Sequence, residues 1–355
     1  MNERVRHFLK KTGPVLCLDI GSGTQDALLA RPGLEPHNWP RFVLPSPARL
    51  AAQRIRELTL LKRPVWLYGG NIGGGVTQAV RDHLAAGLAV ASTEAASRGL
   101  HDAPAVVESM GVKLCEQCPD GAVPLFLTDY SPEFWGSLLR HTCLPQPHLV
   151  AAAAQDHGVH PEEGNRQGRM KAWTALLSAG DDPSGWIYDG AIPAPLTRLQ
   201  ALREKTGGPV SDTGTSALLG ALSVQEVRDR SWRDGVTLVN VGNSHTVAAL
   251  AYQGRIRGIY EHHTGMRTPE ETLRDLDQFR KSWLPCEEVR ASGGHGTAFG
   301  PYCEEAGGYE TTYITGPRRE LLRGHGRFLD PFGDMMLAGC FGLLWGLAQR
   351  DSKQE

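Results

Sequence analysis

The chain has little excess charge, no long apolar run and no framework of paired cysteines. Its 37 Lys and Arg nearly balance 39 Asp and Glu, so a formal charge of -2 gives no electrostatic reason to expect nucleic acid. The apolar run 339–348 is too short to span a bilayer. Basic residues 1–11 lead into no apolar signal core. Seven cysteines, an odd number, are scattered over 355 residues and indicate a reducing compartment. We expect a cytoplasmic protein with neither a membrane nor a nucleic-acid partner.

Length and composition indicate a globular protein of two domains. The 355 residues are 41% hydrophobic and 21% charged, which is enough to bury a large core. Proline and glycine cluster between residues 193 and 209, as expected of a boundary. We predict an N-terminal domain over 1–204, which includes an insertion, and a C-terminal domain over 205–355.

Two distant segments repeat one pattern. VLCLDIGSGTQDALL (15–29) and VTLVNVGNSHTVAALAYQGRI (236–256) each run from apolar residues through a small polar turn and back to apolar residues, which predicts two β-hairpins. Turns of Gly, Ser and Thr let backbone N–H groups approach an anion. Two such turns could therefore hold one polyphosphate from opposite sides. The turn residues are Gly21, Ser22, Gly23 and Thr24 in the first segment and Gly242, Asn243 and Ser244 in the second.

The order of the other motifs adds to this pattern. A helix of small residues (212–227) precedes the second hairpin; a strand, a Thr-Gly-Pro turn and a helix follow at 311–322, and then a second small-residue helix at 333–347. In this order the motifs resemble the actin, sugar-kinase and heat-shock-chaperone ATPase superfamily. The resemblance covers 12–30 and 205–355. It implies an α/β fold of two ribonuclease-H-like domains that close on ATP in an interdomain cleft.

The superfamily resemblance also implies roles for single residues. Asp19 stands where relatives hold Mg²⁺, usually through water, and Thr315 and Gly316 lie in the turn next to the nucleotide base. Asn240 stands where many relatives have a second Asp. The resemblance therefore implies binding of Mg²⁺ and ATP more firmly than it implies hydrolysis.

A closer resemblance extends over the whole chain. Its motifs are similar to an uncharacterised archaeal and bacterial family that often carries the label "putative pyruvate formate-lyase activating enzyme". That label implies radical chemistry on an iron–sulfur cluster held by a Cys-x3-Cys-x2-Cys motif. Here only Cys115 and Cys118 lie close together, and Cys143 is well downstream, so we do not expect this chemistry. The motifs are YGGNIGGG (68–75), TEAASRGLHD (93–102), VESMGV (107–112), AQDHG (154–158), EHHTG (261–265) and GGHG (293–296).

Candidate catalytic residues follow two apolar strands. Asp129 ends the predicted strand 123–130, and Asp156 and His157 end the predicted strand 148–158. Ligands of open α/β sheets lie beyond the carboxyl ends of strands, so these side chains are expected to face one cleft. Asp156 or Asp129 is the candidate base for an acceptor hydroxyl, and His157 is a further candidate catalytic residue.

Four histidines form a second set of candidates. His157, His262, His263 and His295 each lie beside Gly or small polar residues at the ends of apolar runs. Neutral imidazole binds transition metals, and Asp156, Glu261 or Glu94 could add oxygen ligands. Capping of turns and general acid–base catalysis are the alternatives for these side chains, because the spacing is not local.

The leading hypothesis is an ATP-binding actin-like phosphotransferase or ATPase that acts on a small-molecule substrate, with ATP and Mg²⁺ as cofactors. One alternative is an ATP-dependent activator or metal-dependent enzyme whose histidines hold a transition metal. A third is a scaffold that has kept the ATPase fold without catalysis. The substrate's identity stays open, as does the assembly state, for which a homodimer is one candidate.

Overall fold

The computed structural model describes residues 3–180 and 182–354, in which three β-sheets are packed with helices. The strands are β1 (Val15–Ile20), β2 (Thr24–Ala30), β3 (Arg41–Pro45), β4 (Val65–Gly69), β5 (Val90–Ser92), β6 (Val112–Leu114), β7 (Val123–Leu127), β8 (Leu149–Ala154), β9 (Val210–Ser211), β10 (Val236–Val241), β11 (His245–Tyr252), β12 (Arg255–His263), β13 (Gly296–Phe299), β14 (Thr311–Thr315) and β15 (Arg327–Phe328). The α-helices are α1 (Glu3–Thr12), α2 (Pro47–Leu60), α3 (Thr77–Ala85), α4 (Glu94–Ser97), α5 (Pro104–Ser109), α6 (Pro132–His141), α7 (Asn165–Ala179), α8 (Thr197–Thr206), α9 (Thr213–Ser223), α10 (Gln225–Arg233), α11 (Pro269–Arg280), α12 (Cys286–Ala291) and α13 (Ala338–Gln354).

Two of the sheets share one strand order. The first runs β3-β2-β1-β8-β9, and the second runs β13-β12-β11-β10-β14-β15. In each of these two sheets, three consecutive strands (β1 to β3, and β10 to β12) form an antiparallel meander. The first strand of each meander also pairs with a parallel strand (β8 or β14), which in turn pairs with a second parallel strand (β9 or β15). The strand β13 is an additional edge strand of the second sheet. This is the ribonuclease-H-like order, present twice. The predicted fold class is confirmed.

The leading hairpin of each sheet has the same register. Residues 15–20 pair with 30–25 in β1 and β2, and residues 236–241 pair with 251–246 in β10 and β11. Both turns also close with the same backbone hydrogen bond of 2.9 Å, which Gly21 donates to the Thr24 carbonyl and Gly242 donates to the His245 carbonyl.

The third sheet is an insertion between β3 and β8. It is entirely parallel, has the order β6-β5-β4-β7 and is packed against α2, α3 and α5. The sequence predicts its strands β4 and β7 but does not separate them from the first sheet. The insertion places the glycine-rich turn 71–75 opposite the carboxyl end of β8.

Two helices of small residues cross where the two ribonuclease-H-like domains meet. Within α9 and α13 the backbones approach so closely that a Cβ at Gly342 would overlap the Ser216 carbonyl oxygen and lie 2.6 Å from the Gly220 amide nitrogen. A Cβ at Gly220 would in turn overlap the Ala338 carbonyl. Glycine is therefore required on both sides of this crossing, and the predicted pair of small-residue helices exists.

The end of the chain returns to the first domain. α13 packs on β1 and β8 together with α1, so the C-terminal helix covers one face of the first sheet. The strand β9 adds Val210–Ser211 to that same sheet, beyond the predicted boundary at 204/205. None of the helices in the described ranges is long and apolar enough to cross a membrane.

Candidate functional site

The two hairpin turns meet face to face. The Ser22 and Ser244 hydroxyl groups are 2.6 Å apart and share a hydrogen bond. A Cβ at Gly23 would lie 3.0 Å from the Asn243 amide nitrogen, so glycine allows this approach. The cavity left between the turns is about 100 Å³, whereas small-molecule sites are roughly 300–1,000 Å³. The two domains therefore stand closed at this point.

Most of the residues predicted to bind the nucleotide line this cavity. Gly316 at the end of β14 has φ +99°, and a Cβ there would lie 2.5 Å from the Val241 carbonyl, so the turn after β14 requires glycine. Two of the predicted residues do not line the cavity: Thr315 is buried beside Gly316, and Gly23 lies against Asn243. The roles of these residues with nucleotide stay predictions. Those that line the cavity are Asp19, Gly21, Ser22, Thr24, Gly242, Asn243, Ser244 and Gly316.

Two carboxylates, the buried Asp26 and the partly buried Asp19, lie at the base of the first turn. Asp19 and Asp26 are partners across β1 and β2. Burial raises the pKa of Asp19 to about 7, although the Thr213 hydroxyl donates a hydrogen bond of 2.5 Å to it. Burial, and then the charge of Asp19, raises the pKa of Asp26 to about 8. Asp26 Oδ1 accepts no hydrogen bond from the described residues. The pair is an uncompensated acidic site suited to a cation.

One residue of this carboxylate pair, Asp26, is not among the residues predicted from the sequence. It follows the predicted turn within an apolar run. The hairpin register could have identified it, because a turn closed by Gly21 and Thr24 places Asp26 opposite Asp19. The helix α13 presents Gly339 to Asp19, where a Cβ would overlap the carboxylate.

A larger cavity of about 420 Å³ adjoins the hairpin turns. Its walls are the glycine-rich turn 71–75, the segment 98–102 and the segment 155–158 that follows β8. Ser22, Ser244 and His245 line both cavities, so the two spaces meet at the turns. The motifs of the insertion thus face the hairpins across this cavity.

A cluster of three imidazoles and one carboxylate lies beside this cavity. One ligand atom each from His157, His245, Glu261 and His295 falls within 4.8 Å of all the others. His295 and Glu261 are 2% and 0% exposed, whereas His157 and His245 reach the cavity wall. The rings lie 4.7 Å (His157 to His295), 5.1 Å (His245 to His295) and 5.2 Å (His157 to His245) apart between centroids.

The cluster favours neutral imidazoles around one ionised carboxylate. Burial lowers the pKa of His295 to about 3 and that of His245 to about 4, although Glu261 opposes both shifts. Burial and then the Arg169 charge hold the pKa of His157 well below its usual value. Burial is the largest effect and opposes ionisation of Glu261, but Arg169 and the three neighbouring histidines together hold its pKa well below the usual range. Neutral rings keep a lone pair that can bind a cation.

Buried donors fix the Glu261 carboxylate. Arg169 Nε and Trp173 Nε1 each donate a hydrogen bond of 2.8 Å to Oε2, and Gln155 donates one of 3.2 Å to Oε1. Arg169 also forms two hydrogen bonds with Asp212, of 2.7 and 2.9 Å. The helices α7 and α9 are thereby tied to β12 beneath the cluster.

The predicted metal ligands lie in four different places. His157 and His295 belong to the cluster, whereas His262 points away and makes hydrogen bonds with Ser292 and the His263 carbonyl. His263 stands beside the cluster, with its ring 4.4 Å from that of His245. Asp19 lies at the first hairpin instead.

The sequence analysis assigned His245 to the hairpin turn and named Glu261 only as an optional oxygen donor. The alternation along β12 was the available signal for Glu261, because Glu261 and His263 lie on one face of the strand and His262 on the other.

The two predicted bases are engaged within the protein. Arg198 donates hydrogen bonds of 2.7 and 3.0 Å to the two Asp129 carboxylate oxygens. Asp156 accepts from the Gly158, Arg198 and Leu199 amides and so caps the start of α8, although burial still raises its pKa. These contacts are typical of structural carboxylates, and the predicted role of both as catalytic bases stays untested.

The ribonuclease-H-like fold is present twice, and the two hairpin turns meet at the centre. This arrangement defines an actin-like fold of two domains. The model of a protein family described as "Putative pyruvate format-lyase activating enzyme (DUF1786)" matches residues 72–321, and the chain belongs to this family. The family resemblance stated from the motifs is thereby confirmed. No curated protein matches the chain.

Solved structures with weak overall similarity include nucleotide-bound proteins. MreB5 of Spiroplasma citri bound to ADP has 9% identity and a TM-score of 0.39, covering 96% of this chain and 99% of that one. The activator of the 2-hydroxyisocaproyl-CoA dehydratase from Clostridium difficile with bound ADPNP has 9% identity and a TM-score of 0.34, covering 96% and 98%. A Bacteroides thetaiotaomicron protein with actin-like ATPase fold and unknown function has 8% identity and a TM-score of 0.35, covering 95% and 97%. The strand orders described above define the fold class without these similarities.

Proposed function

We propose that the protein binds ATP as its Mg²⁺ complex between the two hairpin turns and transfers or hydrolyses the terminal phosphoryl group. The observation that carries this proposal is the meeting of the two turns at Ser22 and Ser244, with the same closing bond in each. Such turns offer backbone N–H groups and hydroxyls from both sides of a cleft. Phosphoryl transfer needs mainly this positioning and charge neutralisation.

The Asp19–Asp26 pair supplies the place for magnesium. Mg²⁺ takes one or two carboxylates, keeps several waters and shares phosphate oxygens. The pKa values of both carboxyls are raised, to about 7 and about 8, because burial opposes their ionisation and no cationic group among the described residues contributes to offset it. A bound cation would compensate the charge of the ionised carboxylates and attach the nucleotide to the first hairpin.

The adjoining cavity is the proposed acceptor site. It holds about 420 Å³, the size of a small molecule, and it opens at the Ser22 and Ser244 turns where the terminal phosphate would lie. His157 lines the cavity and is the candidate catalytic group that remains there. Radical chemistry is not part of the proposal, because the chain lacks the three-cysteine motif that it needs.

Nucleotide entry requires the two domains to separate. The present space of about 100 Å³ between the turns is smaller than any nucleotide site of ordinary size, roughly 300 Å³ or more. The Ser22–Ser244 hydrogen bond and the crossing of α9 with α13 are the contacts about which such opening would occur. Closure over ATP would then place the acceptor cavity against the phosphate.

The test is calorimetric titration of the full chain with ATP, with and without Mg²⁺. We expect binding at one site, and we expect Asp19→Ala to weaken Mg·ATP at least about tenfold while metal-free ATP changes little, because the lost group acts through the cation. The exposed Asp120→Ala is the matched control. Equal loss of both forms would refute the magnesium role. No binding by the unaltered protein would leave the third hypothesis, a scaffold that has lost its nucleotide.

A further inference from the structure

We propose that His157, His245, His295 and Glu261 together hold a divalent transition-metal ion at the wall of the acceptor cavity. Their ligand atoms lie within 4.8 Å of one another although they come from four separate segments. His157 follows β8, His245 begins β11, Glu261 lies on β12 and His295 precedes β13. The ion would therefore bridge the two ribonuclease-H-like domains.

The main observation for this metal site concerns the buried ring nitrogens of the cluster. His157 Nε2, and both ring nitrogens of His245 and of His295, are buried and find no hydrogen-bond partner in the described residues. Burying a polar atom without a partner costs free energy, and this cluster contains five such atoms. A single cation that accepts lone pairs from all three rings satisfies one nitrogen of each at once. An anion is disfavoured, because the buried carboxylate of Glu261 faces the same point.

The charges beneath the cluster also favour a cation. Arg169 forms buried ion pairs with Asp212 at 2.7 Å and with Glu261 at 2.8 Å. One positive and two negative groups leave a net charge of −1 in this triad. Buried charge of this kind is stabilised by pairing or by metal coordination.

Hydrogen bonds from neighbouring side chains fix the Glu261 carboxylate, as they commonly fix carboxylates that bind a metal. Arg169 and Trp173 donate to Oε2 of Glu261, and among the residues that the structure describes only Gln155 donates to Oε1, at 3.2 Å. Oε1 therefore keeps a lone pair for an ion while the group cannot rotate. The backbone amide of His295 donates to the Glu261 carbonyl at 3.0 Å, which ties these two ligands together.

The ligand set selects the class of metal. Three imidazoles with one carboxylate suit zinc, iron, cobalt or nickel, whereas magnesium prefers oxygen ligands. Tetrahedral bonds of about 2.0–2.1 Å place ligand atoms about 3.4 Å apart, so the cluster needs only a modest contraction on binding.

The placement indicates a catalytic rather than a structural ion. His157 and His245 line the cavity of about 420 Å³, so one side of the ion would face a bound small molecule. There the ion would take a carbonyl or phosphoryl oxygen of the substrate, or a water, as a fifth ligand beside its four protein ligands, and would polarise or activate it. We therefore assign to this cavity an acceptor that presents an oxygen ligand. This site does not depend on the nucleotide proposal, because its ligands and the Asp19–Asp26 pair are different residues.

The experiment measures metal directly in the purified full chain, by elemental analysis and by the visible spectrum of the metal-free protein loaded with Co²⁺. We expect about one tightly bound ion per chain and a cobalt spectrum typical of nitrogen ligands. His295→Ala and His157→Ala should each lose the ion. His157 is the milder change, since its side chain is only partly buried, and circular dichroism will show that the variants remain folded. No nucleotide is added, so a failure here is separate from a failure to bind ATP.

Two controls define specificity. The exposed His141→Ala and the neighbouring His262→Ala should both keep the ion, because His262 points away from the cluster towards Ser292. The proposal is overturned by a folded wild-type protein that neither retains a transition metal nor gives a cobalt spectrum. It is equally overturned by an ion that persists in both cluster variants or disappears in the His262 variant alone.

Discussion

The two hairpins share one backbone and differ in chemistry. Both have the same register and the same closing bond across their turns. Where the first pairs Asp19 with Asp26, the second pairs Asn240 with Val247. The position after each turn also differs, because Thr24 in the first hairpin corresponds to His245 in the second. One half thus offers carboxylates and the other an imidazole.

This difference underlies the two cation sites proposed above. The carboxylates of the first hairpin suit Mg²⁺, and the imidazole of the second belongs to a cluster that suits a transition metal. The turns between them meet at the Ser22 and Ser244 hydroxyls. If both proposals hold, the repeated fold brings two kinds of metal chemistry to the proposed phosphate site.

The largest expected effect concerns the crossing that joins the two halves. Gly342→Ala places a Cβ onto the Ser216 carbonyl in the contact between α9 and α13. We expect a loss of roughly 3 kcal/mol in the free energy of unfolding, because backbone atoms cannot move aside as a side chain can. Gly185→Ala, where a Cβ meets nothing within 4 Å, should change little in the same denaturation experiment. Equal stability of the two variants would show that the crossing is looser than described.

The second prediction uses pH to separate the acidic hairpin from the neutral one. The pKa values of Asp19 and Asp26, about 7 and about 8 when folded, lie above the ordinary value of 3.8. Folding therefore favours the protonated forms, and this stability is fully present below pH 3.8 and is lost as pH rises from there through the folded pKa values. Asp26→Asn should remove most of that loss, so its melting temperature exceeds that of wild type by more near pH 8.5 than near pH 5.

Magnesium sharpens the same measurement. Ionised carboxylates bind the cation, so Mg²⁺ should stabilise the wild-type protein more at the higher pH than at the lower. The exposed Asp120→Asn serves as the control, with an unchanged profile. Parallel pH profiles for wild type and Asp26→Asn would mean that the carboxylate pair is not the acidic site described.

A smaller effect is expected beneath the histidine cluster. Trp173→Phe removes the hydrogen bond of 2.8 Å to Glu261 Oε2 and leaves the one from Arg169. Outer-shell changes of this kind weaken metal binding roughly 10-fold or more, which competition with a chelator measures. Trp186→Phe is the matched control, since its indole donates to the Gly180 carbonyl instead. An affinity unchanged in the Trp173 variant would contradict the role given to Glu261.

The smallest effect tests what the hairpins have in common. Ser22→Ala and Ser244→Ala should each weaken Mg·ATP by roughly threefold to tenfold, because a hydroxyl contact contributes about 1 kcal/mol. Ser109→Ala, on the exposed helix α5, should leave affinity unchanged in the same titration. Loss in only one of the two variants would indicate that one hairpin alone meets the nucleotide.

The sequence predicted those parts of the fold whose signal is local. Each hairpin combines apolar strands with a small-residue turn over about 15 residues, and the small-residue helices α9 and α13 are recognisable in the same way, although α13 begins at Ala338 rather than 333. The repeated fold class followed from their order. The inserted parallel sheet did not, because the partner of each strand is set by contacts between distant segments.

The candidate site shows the same limit. His157 and His295 were singled out by their glycine neighbours, but His262 and His263 share that signal, and only the alternation of β12 separates them from Glu261. The proximity of His157 and His295 to His245 depends on how the two domains meet. Arg169 gave no signal, since a buried arginine is indistinguishable in sequence from a solvated one on α7.

The most direct test of the two unlike halves is anomalous diffraction from crystals of the full chain grown with a Mn²⁺ complex of a non-hydrolysable ATP analogue and Zn²⁺. The account predicts nucleotide between Ser22 and Ser244, a manganese signal beside Asp19 and Asp26, and a separate zinc signal among His157, His245, Glu261 and His295. Nucleotide absent from the turns, or zinc bound away from this cluster, would contradict it.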